Sequence, residues 1–142
     1  FKNNVLKPYQ MADIYDALGR YYNKASITIE KASGGHAVIE RMRLEKKYYN
    51  MTKYLTYDEH NKERWKVGFD TNAKTKTLMI NDAREWFEKG MILIRSKEVL
   101  EEMKVFVSNS NGSMGAISGQ HDDLIIALAL AIVSIKGLWY PF

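Results

Sequence analysis

The sequence predicts an α/β fold, and three observations point there. Residues 25–30, Ala-Ser-Ile-Thr-Ile-Glu, alternate apolar and polar side chains with β-branched residues, and Ser33-Gly34-Gly35 then turns the chain into an amphipathic helix. Met91 to Ile94 reads as a short apolar strand, followed by a helix that Ser96 can cap. From Asp122 to about Ile135 the chain reads as a helix apolar almost all round, as expected of one that other elements cover. A length of 142 residues fits one domain with a single core.

Taken in order, Pro8 suits the first turn of a helix because its missing N–H is not needed there, and Met11, Ile14, Tyr15 and Leu18 recur at helical spacing, which predicts a helix over residues 9–22. The strand at 25–30 places Glu30 at its carboxyl end. Val38, Ile39 and Met42 form the apolar stripe of a second helix that runs to about Glu45. A strand is expected from Tyr48 to Tyr54. The polar stretch Tyr57 to Arg64 reads as a turn, and Trp65-Lys66-Val67-Gly68-Phe69 as the hairpin partner. Leu78, Met79, Ala83, Trp86 and Phe87 define another helix, stopped by Gly90 where a left-handed cap is expected. In the helix capped by Ser96, Val99, Leu100 and Met103 make the expected buried side. Ser108 to Gly115 is rich in residues that loosen the backbone and reads as a loop, either a plain connector or a gate. No internal repeat or low-complexity tract is visible.

Composition excludes several classes. Apolar residues make up 46% and charged residues 27%, the balance of a folded globular chain rather than a disordered one. A formal charge of +4 and an isoelectric point near 9.2 lean toward polyanionic partners. The absence of cysteine removes disulfide scaffolds, thiolate zinc sites and cysteine nucleophiles, and is compatible with a reducing cytoplasm. The longest apolar run, Leu124 to Val133, falls far short of the roughly 20 residues of a membrane span. No signal peptide is visible, and a start at Phe1 without an initiator methionine leads us to expect that the chain begins inside a larger protein.

The residues that could carry chemistry are mainly acids. Gly119-Gln120-His121-Asp122-Asp123-Leu124 stands directly ahead of the apolar helix. Acidic side chains cap helix amides and suit the dipole, yet one aspartate suffices for that, and a pair at an apolar helix repels itself unless a cation intervenes. Capping and metal binding are therefore both open. Asp123 lies in line with the small Ala127 and Ala131, a face that could approach a sheet closely, whereas Asp122 lies in line with Ile126 and Ala129. That spacing favours Asp123 as a direct ligand and Asp122 as a support or second-metal ligand. Glu30 is the second candidate, because functional groups gather at strand carboxyl ends in α/β sheets and a glycine pair follows it. His36 and His60 lack supporting neighbours, and no His or Cys stands at zinc-ligand spacing. Magnesium or manganese, which take carboxylates and water, suit these residues better. No phosphate-cradling Gly-x-x-x-x-Gly-Lys-Ser/Thr loop occurs, and no Ser-His-Asp arrangement with plausible context is present.

Trp86 and Phe87 on a helix stripe and Trp65 and Phe69 alternating in a strand read as core. The run Arg41, Arg43, Lys46 and Lys47 reads as a solvated helix face. If the chain binds DNA, that run and Lys53, Lys62, Arg64 and Lys66 of the hairpin are the candidates for phosphate contact.

Several patches in order resemble the nuclease domain of tailed-phage terminase large subunits. They are Ile27-Thr28-Ile29-Glu30 followed by Gly34-Gly35, Val67-Gly68-Phe69-Asp70-Thr71-Asn72 leading to Lys76-Thr77, Gly90-Met91-Ile92-Leu93-Ile94, and above all His121-Asp122-Asp123-Leu124 with Ala127 to Ala131. The match covers nearly the whole chain. The resemblance implies an RNase H-like fold, a central mixed β-sheet flanked by helices with an extra β-hairpin, forming one nuclease domain over residues 1–142. It implies a metal-dependent endonuclease that cuts double-stranded viral DNA during packaging by two-metal phosphodiester hydrolysis with two Mg2+ or Mn2+ ions. Three acids hold those ions in the family: Glu30 matches the one on a later strand, and Asp122 or Asp123 the one at the last helix. His121 would orient a carboxylate, touch substrate or cap the helix.

The partners implied are double-stranded DNA, an ATPase domain in the same polypeptide, the portal protein and the small terminase subunit, with no membrane. The place implied is the cytoplasm of the infected host cell and, transiently, the procapsid portal. Two departures stand out. The family often has Asn two residues after the strand glutamate, where this chain has Ala32, and its first-strand aspartate would precede Phe1, with Asp13 and Asp16 falling in a helix. The competing readings are another RNase H-like nuclease such as a Holliday-junction resolvase, and a non-cleaving DNA-guiding or portal-docking module.

Overall fold

The computed structural model describes residues 5–109 and 112–139. Among them are five helices and four strands: α1 (Pro8–Tyr21), α2 (Gly35–Leu44), β1 (Lys53–Tyr57), β2 (Glu63–Val67), α3 (Ala73–Glu88), α4 (Lys97–Lys104), β3 (Phe106–Ser108), β4 (Met114–Ala116) and α5 (Asp123–Trp139). The chain clusters into two compact units, Phe1–Thr71 with Val133–Phe142, and Asn72–Ile132.

The first unit is built on a core of Ala12, Ile29, Val38, Ile39, Met42, Tyr48 and Met51. α1 begins at Pro8, and the N–H of Lys7 just before it donates to Gln10 Oε1 at 3.0 Å, so one free donor of the helix start is satisfied locally. Tyr48 packs over Gly19, where a Cβ would collide with its ring, and its hydroxyl donates to the Ala25 carbonyl at 2.5 Å. Residues 25–30 are extended but make no ladder. Ile27 bridges Met51 and Glu30 bridges Phe69, both parallel. The segment changes partner part-way along: Ile27 N–H bonds Asn50 O and Thr52 N–H bonds Ile27 O, each at 3.0 Å, after which Phe69 N–H bonds Ile29 O at 2.8 Å. Neither pairing lasts long enough to become a strand.

A hairpin forms here, but its strands are shifted from the expected 48–54 and 65–69, and Tyr57, Glu63 and Arg64 of the expected turn belong to them. β1 and β2 pair antiparallel, with Lys53 opposite Val67, Leu55 opposite Trp65 and Tyr57 opposite Glu63. Its turn is closed by Asp58, whose carboxylate accepts from the amides of His60 (2.9 Å) and Lys62 (3.0 Å), while Asn61 takes the left-handed conformation its side chain tolerates. The Lys62 amide, then the Arg64 guanidinium and last the His60 amide, hold the Asp58 carboxyl below its usual range. Trp65, expected in the core, stands exposed on this ribbon.

In the second unit the Asn72 side chain caps α3, accepting from Lys74 and Thr75 amides at 3.0 Å each, and Gly90 follows the helix end with φ 65° as expected. The buried face of α3 is Met79, Ile80 and Ala83, while Leu78 and Phe87 are exposed, so the expected stripe is rotated. Met91 to Ile94 pairs with no strand among the described residues. Ser96 does cap α4, accepting from Val99 N–H at 3.4 Å, but that helix buries no residue fully and Leu100 is exposed. The expected loop over 108–115 is instead flanked by an antiparallel hairpin, β3 with β4, in which Val107 opposes Gly115. Ser110 and Asn111 of that expected loop lie outside the described residues.

Among the described residues the architecture is therefore α/β with two small sheets and five helices. A continuous central mixed sheet is not formed among the described residues. Its expected strands 25–30 and 91–94 are a bridged segment and an unpaired one.

Candidate functional site

Glu30 lies in the first unit, half-buried, and its position is set by main chain. On one side Lys31 N–H donates to Phe69 O at 2.9 Å. On the other, α2 starts so close that a Cβ on Gly35 would run into the Glu30 carbonyl oxygen. This explains the glycine after Gly34: the turn needs a left-handed residue at 34, with φ 90°, and an absent side chain at 35.

Beside it is a polar cluster that sequence reasoning missed. The Lys31 ammonium donates to Tyr54 Oη at 2.6 Å and to Asp70 Oδ2 at 3.0 Å, and the Tyr54 hydroxyl in turn donates to Asp70. The Tyr54 hydrogen bond, then the Lys31 charge, hold the Asp70 carboxyl below its ordinary value. Burial pulls the Lys31 ammonium down, but the bonds to Tyr54 and Asp70 together raise it. Burial, then Asp70, push the Tyr54 phenol up. Asp70 follows directly on Phe69, the bridge partner of Glu30, a neighbour relation that only pairing of distant segments creates.

Asp122 and Asp123 lie in the second unit. Asp122 is 26% exposed, and Lys76 Nζ sits 3.1 Å from its Oδ2. Lys76 occupies the first turn of α3, where the helix dipole disfavours a cation, so a carboxylate facing it relieves a local cost. The amide of Leu124 donates to Glu102 Oε2 at 2.8 Å, which makes α4 a cap for α5. The Asp122 carbonyl accepts the bond from Ile126 N–H at 2.9 Å. Asp123 is 59% exposed and His121 69%, with His121 Nδ1 3.9 Å from Asp123 Oδ2.

The packing argument drawn from helical spacing is thus reversed. Ala127 and Ala131, in line with Asp123, are exposed, while Ala129, in line with Asp122, is buried. A helix apolar almost all round carries little information about which face packs. Lys76 and Glu102, which hold this helix start, were also missed, because their link to it spans 46 and 22 residues of sequence.

The donor chemistry, carboxylates without thiolates, is that of hard divalent ions. In number the residues fall short: among the described residues no three His, Asp or Glu side chains gather into a group able to hold a metal ion.

The basic candidates divide. Arg41 pairs with Glu45 (2.8 Å), Arg43 with Glu40 (3.1 Å), Lys46 with Asp13 (2.5 Å) and Arg64 with Asp58 (2.9 Å). Lys47, Lys53, Lys62 and Lys66 make no ion pair among the described residues. No helix among the described residues is long and apolar enough to cross a membrane.

Residues 1–134 match the model of a family described as the terminase RNaseH-like domain. Comparison with curated proteins returned no match.

Proposed function

The chain belongs to the terminase RNaseH-like domain family, and from that premise we propose that it is the nuclease part of a packaging terminase, a divalent-metal-dependent endonuclease acting on double-stranded viral DNA. The observation that carries this is the family match over residues 1–134, nearly the whole chain. The alternation of strand-like and helical segments and the carboxylates at two chain ends of such segments accord with it.

In this reading Glu30 and Asp122 are each metal-holding acids of the nuclease, with Asp123 beside Asp122 in the chain. Asp122 takes the inner position because it is the partly buried member of the pair. Bound Mg2+ or Mn2+, two ions by analogy with the family, would lower the pKa of an attacking water and stabilise the departing 3′ oxygen. Lys76 keeps the Asp122 carboxylate oriented and its charge offset. Glu102 fixes the helix start from which Asp122 projects. Gly35 and Phe69 hold Glu30 through its backbone. His121, exposed near Asp123, is in this reading a group that touches substrate. The ATPase domain, portal protein and small terminase subunit are the partners of this role, and the infected cell's cytoplasm and the procapsid portal its places.

Incubation with supercoiled plasmid tests the proposal. Nicking in Mn2+ or Mg2+ that stops with chelator is expected. A folded protein that binds plasmid but leaves it intact in both metals would favour the non-cleaving DNA-guiding reading instead.

A further inference from the structure

The ribbon β1–β2 carries an exposed aromatic face that the site above does not use. Opposed residues of an antiparallel pair share a face, so Lys53, Leu55, Tyr57, Glu63, Trp65 and Val67 lie together. Trp65 is 60% exposed and Tyr57 57%. The opposite face is engaged, since its Tyr54 reaches Lys31 and Asp70. The Val67 end of the aromatic face packs against the core of the unit, while Tyr57 and Trp65, nearer the turn, stand exposed. Large exposed indole and phenol rings are unfavourable in water unless a partner covers them.

Charge indicates which partner. In the first unit Arg20, Lys31, Arg41, Arg43, Lys46 and Arg64 are each paired with an acid. Lys53 on the aromatic face and Lys62 at its turn have no such partner among the described residues, as is also true of Lys47, whereas Lys66 stands on the opposite face, where its charge acts on Asp70. Free lysines interleaved with exposed aromatics are the means by which proteins hold unpaired nucleic-acid bases, the rings stacking on the base and the ammoniums meeting phosphates. The acid on this face, Glu63, opposes Tyr57 and would weaken such binding.

The geometry points to the Trp65–Tyr57 face as a seat for an unstacked DNA base, at a frayed end, gap or nick, with Lys53 on the adjoining phosphate. This rests on the DNA-handling role proposed above and adds a preference for DNA with unpaired bases.

Fluorescence anisotropy in chelator, with labelled blunt and gapped duplexes of equal length, tests it. The wild-type chain binds the gapped duplex about tenfold more tightly. Trp65→Ala abolishes that preference, and Trp65→Phe retains most of it. Lys53→Ala weakens both duplexes alike and lowers the salt slope by about one, while Glu63→Gln tightens both. Equal wild-type affinity for the two duplexes, or an unchanged preference in Trp65→Ala, overturns the inference and assigns the face to a protein partner. Absence of metal-dependent plasmid nicking would remove the nuclease reading while leaving a Trp65-dependent preference standing, so the two failures are distinguishable.

Discussion

Glu30 and Asp122 are both acids at the edge of an element, but they are held by different means. Main chain places Glu30, through the Phe69 bridge and the close approach of α2 at Gly35. Side chains place Asp122, through the Lys76 ammonium, with the Glu102 carboxylate fixing the helix start two residues on. A backbone-held group tolerates change in surrounding side chains and fails when a Cβ intrudes. A group held by charges answers in smaller steps to each partner removed.

The largest expected effect follows from that contrast. Gly35→Ala puts a methyl group onto the Glu30 carbonyl, and the first unit loses about 3 kcal/mol in urea unfolding because backbone, not a flexible side chain, is what must give. Equal midpoints for wild type and variant would mean that α2 does not press on Glu30. Next, Glu102→Ala leaves the Leu124 amide without its acceptor and costs roughly 1–2 kcal/mol. Removing the α3 cap, Asn72→Ala, costs about 1 kcal/mol, since two amides lose their partner at the end that carries Lys76. Thermal unfolding reads both, and a change under a few tenths of a kcal/mol in either would show that these helix starts are held some other way.

The smallest effect is the cluster next to Glu30. The lowered Asp70 carboxyl contributes stability that is present above its ordinary value of 3.8 and lost as pH falls through the lowered one. With half the side chain in water, screening leaves a few tenths of a kcal/mol. Asp70→Asn should therefore unfold slightly earlier than wild type at pH 7, with the gap closing as pH falls through the lowered value. A gap that widens on acidification would contradict the sign.

The two regions also differ in how much the sequence disclosed. Around Glu30, the β-branched alternation and the glycine pair sufficed to locate the acid at the end of an extended segment, because local backbone conformation decides it. The hairpin and the caps at Pro8, Gly90 and Ser96 were legible for the same reason: each is a bond or a φ angle set within a few residues. Around Asp122 the motif was visible but its orientation was not. The inward face of α5 depends on what packs against it, and small alanines marked an exposed face there. Trp65 misled similarly, since alternation in a strand does not say whether a second layer covers it. Lys76, Glu102 and Asp70 escaped because their partnerships are made by tertiary proximity. The short β3–β4 pairing was hidden by loop-forming residues between its strands.

The most direct measurement is the plasmid-nicking rate in Mn2+ of Glu30→Gln and of Asp122→Asn, each compared with wild type at matched folding by circular dichroism. Both are predicted to fall roughly a hundredfold or more, the scale of losing one group that stabilises charge at a reacting centre, although they lie in different units and are held by different means. Wild-type cutting by either folded variant would contradict its membership of the cleavage site.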